Sequence, residues 1–258
     1  MLIPTTIDSF IDGSLVLEQP APGFGYRVSV DSILLAKFAI PFVQHDSTVI
    51  DLGSGVGAVA LALSTIIGAR QLILVESQPL LAGIALRNVR RAGATTHARV
   101  VESDIATWAL GANTSLQSQH VVVVANPPYT PIGSGRRSAV ACVDAAKHGS
   151  LTPFFEAASH LLATASDTAC MCYPASAIVD FLATAHRYNL QASRLQFVYA
   201  HRDSPARIAL VTLRTTRGTN LNCANDLSGF VDSAFWNVVI EPGLLDKTTR
   251  AHQRVDPA

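Results

Sequence analysis

The sequence is poor in charged residues, which make up 15% of its 258 positions, while hydrophobic residues make up 49%. This composition excludes intrinsic disorder for most of the chain, because enough apolar surface is present to form a core. Lys plus Arg and Asp plus Glu number 19 each, so the net charge is zero. Proteins that bind nucleic acid by charge alone are usually basic. Any nucleic-acid contact must therefore use a local patch, shape or stacking.

Long apolar runs are also absent, and no stretch reaches the roughly 18 residues that span a bilayer. The N-terminal residues MLIPTTIDSFIDG lack the basic segment and apolar core of a signal peptide. We therefore expect no membrane association and a cytoplasmic location.

Cysteines are few, and their spacing indicates neither a disulfide framework nor a metal site. Cys170 and Cys172 lie in a predicted strand, where positions two apart share a face, while Cys142 and Cys223 stand alone. We expect core cysteines and no bound metal.

Short β-branched runs alternate with helical patterns between residues 48 and 213, and no internal repeat is evident. Strands are predicted at 49–52, 72–76, 98–102, 120–125, 169–173, 195–201 and 207–213. Helices are predicted at 58–67, 79–91 with a Ser77 cap, 105–108, 176–188 and from a Thr152 cap onward. This alternation predicts an α/β fold with a doubly wound, mostly parallel seven-stranded sheet whose last strand pair is antiparallel. We expect an N-terminal extension at 1–47, a main domain at 48–245 and a disordered tail at 246–258.

The loop after the first of these strands is rich in glycine and has the sequence Asp51-Leu-Gly53-Ser54-Gly55-Val-Gly57. Glycines allow a tight turn and let a ligand approach the backbone. The spacing alone is a weak signal. A dinucleotide fingerprint tolerates Ala at its final position, where Ala58 stands, so spacing does not exclude a nicotinamide cofactor.

Carboxylates stand near the ends of three successive predicted strands, at Asp51, Glu76 and Asp104. Asp51 would repel a pyrophosphate and attract an ammonium. Glu76 can accept hydrogen bonds from both ribose hydroxyls, and Asp104 can accept one from an adenine amino group. Alternatively, Asp51 caps the turn, Glu76 is a surface strand end and Asp104 caps a helix. Their common edge, where α/β sheets bind ligands, favours a cofactor site.

The tetrapeptide Asn126-Pro127-Pro128-Tyr129 follows the valine-rich strand. The prolines stiffen the backbone and remove N–H donors, so carbonyl and amide oxygens remain as acceptors. Asn126 and the Pro127 carbonyl can accept hydrogen bonds from both N–H groups of a planar NH2. Tyr129 can stack on the base that carries this NH2. The alternative is a rigid strand exit with Tyr129 in the core.

In their order along the chain, these motifs resemble those of class I S-adenosylmethionine-dependent methyltransferases. Asn-Pro-Pro-Tyr is typical of the branch that methylates amino nitrogens. The resemblance implies a Rossmann-like methyltransferase fold and S-adenosylmethionine as cofactor. The implied cofactor-binding residues are Asp31, Asp51, Gly53, Ser54, Gly55, Gly57, Glu76 and Asp104, and the implied catalytic residues are Asn126, Pro127 and Tyr129.

Residues 25–36 resemble the upstream motif of the bacterial tRNA1(Val) adenine-N6 methyltransferases and the related small-domain group, where this motif covers the methionine end of the cofactor. Residues 133–137 and 201–206 resemble that group too. The implied function is transfer of a methyl group to adenine N6 in RNA, with tRNA as partner. The segment 25–36 can equally begin an amphipathic helix capped by Ser29 or Asp31.

A local basic patch for RNA is expected from Arg136, Arg137, Arg202 and Arg207, although each is also compatible with ordinary surface charge. Two other functions stay open. A protein glutamine-N5 methyltransferase has the same planar target, and a non-catalytic cofactor-binding partner is a third possibility. The sequence does not give the oligomeric state.

Overall fold

The computed structural model describes residues 3–116, 120–129, 150–201, 204–217 and 238–239. The strands are β1 (Thr5–Phe10), β2 (Leu15–Pro20), β3 (Thr48–Leu52), β4 (Gln71–Glu76), β5 (Ala98–Glu102), β6 (Val121–Ala125), β7 (Thr168–Pro174), β8 (Leu190–Tyr199), β9 (Ala206–Thr215) and β10 (Val238–Val239). The α-helices are α1 (Val30–Ala39), α2 (Ala58–Ile67), α3 (Pro79–Arg91), α4 (Ile105–Leu116), α5 (Thr152–Leu161) and α6 (Ile178–Arg187). Short 3-10 helices lie at Ile40–Phe42 and Ala175–Ala177.

The main sheet has the strand order β10-β8-β9-β7-β6-β3-β4-β5, and β1 pairs with β2 in a separate hairpin. Strands β5, β4, β3, β6 and β7 are parallel, while β9 is antiparallel to both β7 and β8. The predicted doubly wound sheet with an antiparallel last pair is confirmed. The two-residue strand β10, which was not predicted, pairs with β8 at the edge.

The order of the strands reverses between β3 and β6. From β3 the chain proceeds to β4 and β5 on one side, whereas β6 and β7 lie on the other. The two strands pair in parallel, with Leu52 opposite Ala125. The loops that follow them therefore leave the sheet side by side, at the place where open α/β sheets bind ligands.

Two hydrophobic cores cover the two faces of the sheet, and β6 shows how the sequence forms both. Val122 and Val124 belong to the core with α1, α2 and α3, whereas Val121, Val123 and Ala125 belong to the core with α4, α5 and α6. Side chains alternate along a strand, so a strand buried on both faces needs an uninterrupted apolar run. Cys170 and Cys172 are free and buried in the first core, as predicted.

The N-terminal hairpin is an element that the sequence analysis missed. Its turn contains Asp12 and Gly13, both with positive φ, and Asp-Gly between alternating strands is a strong hairpin signal. Leu15 and Leu17 of β2 are buried in the first core. The hairpin therefore packs against the same helices that cover the sheet.

Several predicted boundaries were wrong. Helix α4 runs to Leu116, not 108, because Ala109, Ala112 and Leu116 recur at helical spacing and are buried. Strand β8 begins five positions earlier than predicted, at Leu190 rather than at residue 195. The N-cap of α3 is Gln78 rather than Ser77, and that of α5 is Leu151 rather than Thr152, each without a side-chain cap hydrogen bond.

The turn between β3 and α2 depends on glycine. Gly55 and Gly57 have φ angles of 57° and 88°, in the left-handed region that other residues avoid. A Cβ on Gly57 would lie 2.8 Å from Cδ2 of Leu74, whereas a Cβ on Gly55 would have no heavy atom within 4 Å. Leu74 is fully buried, so its side chain has little room to move.

We expect Gly57→Ala to lower the free energy of unfolding by about 2–4 kcal/mol, from left-handed backbone strain together with overpacking against Leu74. The control Gly55→Ala adds only the backbone strain and should cost about 1–2 kcal/mol. Urea denaturation of the ligand-free protein measures both values. Equal losses in the two variants would contradict the role assigned to Leu74.

Candidate functional site at the carboxyl edge of the sheet

A cavity of about 480 Å³ lies at the carboxyl edge of the sheet, where the loops after β3 and β6 meet. Its volume is in the range of small-molecule and cofactor sites. Another wall is formed by Tyr26 and Val28, which precede α1, and by Asp31 in its first turn. The cavity is lined by all the sequence-predicted cofactor and catalytic residues except Gly57: Asp31, Asp51, Gly53, Ser54, Gly55, Glu76, Asp104, Asn126, Pro127 and Tyr129.

The backbone amides of the glycine loop are largely used inside the protein. Ser54 N–H donates to the Val75 carbonyl, Gly55 N–H to Glu76 and Gly57 N–H to the Ser54 carbonyl, at 3.0, 2.9 and 2.8 Å. Loops that bind pyrophosphate present such amides to the ligand. The Ser54 hydroxyl, in contrast, is buried in the cavity wall with no hydrogen-bond partner. A buried polar atom without a partner is a site where a ligand can bind.

Asp51 is almost fully buried at the end of β3, where its Oδ2 accepts a hydrogen bond from Ala60 N–H at 3.1 Å. It therefore bonds to the first turn of α2, whereas the alternative interpretation had it cap the glycine turn, and it also lines the cavity. Burial raises the pKa of Asp51 to about 7, and the nearby Glu76 carboxylate adds to this effect. A cation in the cavity would favour the ionised form.

Glu76 is buried, and both of its carboxylate oxygens accept backbone N–H groups. Oε2 bonds to Gly55 at 2.9 Å and Oε1 to Gln78 at 2.8 Å. Burial raises the pKa of Glu76, although these hydrogen bonds partly oppose the shift. Each oxygen keeps a further lone pair that can accept a ligand hydroxyl.

Asp104 lies between β5 and α4, and its side chain is exposed. Its Oδ1 accepts a hydrogen bond from Thr107 N–H at 3.0 Å, so it caps α4 as the alternative interpretation predicted. It also lines the cavity, which leaves its predicted cofactor contact open as a prediction.

Asn126 follows β6, and its Oδ1 accepts a hydrogen bond from the Tyr129 hydroxyl at 2.5 Å. The Tyr129 oxygen also lies 3.2 Å from Cys172 Sγ and 3.4 Å from Asp31 Oδ2. Its ring packs against both hydrophobic cores and makes an edge contact with Tyr173 at 6.1 Å between centroids. Burial raises the pKa of Tyr129, so the hydroxyl remains protonated. In this conformation Tyr129 orients Asn126, and its predicted stacking role stays a prediction.

Asp31 lies in the first turn of α1 and is buried. Its Oδ2 is 3.7 Å from the Arg207 guanidinium, which β9 brings to the same side of the cavity. Arg207 is therefore a neighbour of the candidate site. Residues 136, 137 and 202, which complete the predicted basic patch, lie outside the described residues.

Tyr26 is a cavity residue that was not predicted as part of the site. Burial and the neighbouring Asp31 carboxylate raise the pKa of its hydroxyl. Its place within residues 25–36, five positions before Asp31, is the sequence feature that could have identified it.

Within the described residues no group of three or more His, Cys, Asp or Glu side chains is placed to hold a metal ion. None of the helices in the described ranges is long and apolar enough to cross a membrane.

Comparison with known proteins gives two partial sequence matches. The chain is 30% identical over 95 residues to a ribosomal protein L11 methyltransferase of Pelotomaculum thermopropionicum, covering 36% of this chain and 30% of that protein. It is 30% identical over 94 residues to a carboxy-S-adenosyl-L-methionine synthase of Sodalis glossinidius, covering 36% of each. The chain thus matches about a third of the length of these curated relatives, and no family model matches.

Among solved structures, the tRNA m1G37 methyltransferase of M. jannaschii superimposes with a TM-score of 0.54 at 11% identity, covering 83% of this chain and 55% of that one. Identity at this level informs on the fold alone. The chain therefore has the α/β fold of the Rossmann-like methyltransferases.

Proposed function

We propose that the protein is an S-adenosylmethionine-dependent N-methyltransferase that acts on an exocyclic amino group, with adenine N6 in RNA, and tRNA in particular, as its substrate. The observation that carries this proposal is the placement of Asn126 in the wall of an acidic cavity beside the glycine loop. The acidic cavity suits a cationic cofactor, and Asn126 suits an amine.

The lining of the cavity favours S-adenosylmethionine over a dinucleotide. Asp31, Asp51, Glu76 and Asp104 supply negative charge, which attracts an ammonium and a sulfonium and repels a pyrophosphate. The loop amides that would bind phosphate already donate to the Val75 carbonyl, Glu76 and the Ser54 carbonyl. Glu76 would bind the ribose hydroxyls with its remaining lone pairs, and the unpartnered Ser54 hydroxyl would meet the ligand.

S-adenosylmethionine, when bound, supplies an electrophilic methyl group. The task of the protein is to orient the amine, whose lone pair is delocalised into the ring in adenine. The Oδ1 of Asn126 accepts a hydrogen bond from the Tyr129 hydroxyl and would accept one N–H of the substrate with its other lone pair. The Pro127 carbonyl would accept the other N–H, so the nitrogen lone pair turns towards the methyl donor.

Adenine N6 in RNA is favoured by the resemblance of residues 25–36 to the tRNA adenine-N6 enzymes. The main alternative is a protein glutamine-N5 methyltransferase, and the partial match to a ribosomal protein methyltransferase favours a protein substrate. A non-catalytic cofactor-binding partner is the remaining alternative.

The decisive experiment measures transfer of a tritiated methyl group from S-adenosylmethionine to total RNA and to total protein of the host. We expect label in RNA, and we expect Asn126→Ala to abolish it, because the Pro127 carbonyl alone is then left to orient the amine. Calorimetry should show that Asn126→Ala still binds S-adenosylmethionine within about threefold of the wild-type affinity. Label in protein alone would indicate a protein substrate instead of adenine. Binding of S-adenosylmethionine without transfer to RNA or protein would support the non-catalytic alternative.

The role of Tyr129 is tested by Tyr129→Phe, which keeps the ring and removes the hydroxyl. If Tyr129 acts by orienting Asn126, we expect kcat to fall about tenfold with KM for RNA nearly unchanged, a loss of about 1.4 kcal/mol. Tyr129→Ala serves as the comparison, since it removes both the hydroxyl and the ring. Full activity in Tyr129→Phe with loss in Tyr129→Ala would assign the effect to the ring.

Binding of the cofactor should also depend on pH through Asp51. The carboxyl has a pKa of about 7 without ligand, and a bound cation lowers this pKa. At lower pH more of the Asp51 carboxyl is protonated, so binding must displace more protons and is weaker. We expect the affinity for S-adenosylmethionine to rise about eightfold from pH 6 to pH 7.5, following the ionised fraction of Asp51. Calorimetry across this range on Asp51→Asn, which cannot ionise, should give a flatter profile. An unchanged profile in the variant would assign the titration to another group.

A further inference from the structure

Asn88 of α3 is fully buried, yet its amide joins two elements that are distant in sequence. Its Oδ1 accepts from Glu18 N–H at 2.7 Å, and its Nδ2 donates to the Glu18 carbonyl at 2.8 Å and to the Val56 carbonyl at 2.9 Å. Both N–H donors of the side chain are therefore used. One holds strand β2, and the other holds the glycine loop.

The bond to Val56 fixes the glycine loop from the side of the core. Val56 stands between Gly55 and Gly57 and lines the cavity. Gly55 is held on its other side by Glu76. Backbone with positive φ at both neighbouring glycines has many accessible conformations, so these two side-chain bonds select the one that is observed.

The bonds to Glu18 hold the hairpin in a fixed place, and the hairpin in turn holds Arg27 and Val28, which line the cavity. Gln19, which follows Glu18, is fully buried and accepts from Val28 N–H at 2.8 Å.

Arg27 donates to Asp8 Oδ2 at 3.0 Å. Burial alone would raise the pKa of Asp8, but hydrogen bonds from Gln19 and Thr6 and the Arg27 charge hold it below its ordinary value. Asp8 therefore stays ionised and keeps Arg27 in place.

We propose that Asn88 is a positioning residue of the cofactor site, which sets the glycine loop at a fixed distance from the hairpin-supported wall formed by Arg27 and Val28. Asn88 does not line the cavity, so it acts on a ligand only through Val56 and Glu18. The proposal rests on the proposed function in one respect, that the cavity binds S-adenosylmethionine.

Arg87 offers a matched control on the same helix. Its guanidinium bonds both carboxylate oxygens of Glu18, at 2.9 and 2.8 Å, but it makes no bond to Val56. Asn88→Ala and Arg87→Ala therefore both loosen the hairpin, while only the first releases the glycine loop.

The test compares the dissociation constant for S-adenosylmethionine, by calorimetry, with the melting temperature of each full-length variant. We expect Asn88→Ala to weaken binding at least tenfold and Arg87→Ala to weaken it less than about twofold, which correspond to about 1.4 and 0.4 kcal/mol. Should Asn88→Ala not fold, Asn88→Leu keeps a similar volume, adds no buried charge and also cannot donate to Val56. Equal weakening in the Asn88 and Arg87 variants would overturn the proposal.

Amide hydrogen exchange of residues 54–57 in the ligand-free proteins gives a second measure that needs no cofactor. We expect faster exchange at these amides in the Asn88 variants and wild-type rates in Arg87→Ala. If the wild type does not bind S-adenosylmethionine, the proposed function fails while the exchange rates still decide the role of Asn88. Wild-type exchange rates in the Asn88 variants would overturn that role.

Discussion

The parallel pairing of β3 with β6 is the contact on which the candidate site depends. With Leu52 opposite Ala125, the glycine loop and the Asn126 loop leave the sheet at the same height and next to each other. The chain then turns away in opposite directions, to β4 on one side and β7 on the other, which leaves a crevice between the loops. In the described part of the chain, both loops line the same cavity at this point.

The acidity of the cavity is built into the fold through backbone hydrogen bonds. Buried carboxylates are costly unless they are hydrogen-bonded, and Asp51 and Glu76 each obtain backbone N–H donors. The donor to Asp51 belongs to the first turn of α2, and Gly55 of the glycine loop donates to Glu76. The glycine loop and the helix that follows it therefore help to keep both carboxylates in place. A cationic ligand would offset the remaining cost of their burial.

The sequence predicted the sheet and most of the cavity because both depend on local patterns. Continuous apolar runs such as Val121–Ala125 identify strands buried on both faces, and the polar residues that follow them share one edge. The orientation of Tyr129 could not be predicted, since its hydroxyl meets Asp31, 98 positions away, and Cys172, 43 positions away. The hairpin had a readable Asp-Gly signal, but its contact with α3 at Glu18 and Asn88 had none.

Long-range polar contacts also explain why the neutral net charge says little about the site. Carboxylates are concentrated in the cavity, where Asp31, Asp51 and Glu76 are all buried. Arg207, from the last long strand, approaches Asp31 at 3.7 Å and is half exposed. A chain whose net charge is zero thus has an acidic cavity with the cation Arg207 at its edge. Since Arg207 already faces Asp31, its charge is partly neutralised, and an anionic substrate would have to gain most of its attraction from groups other than Arg207.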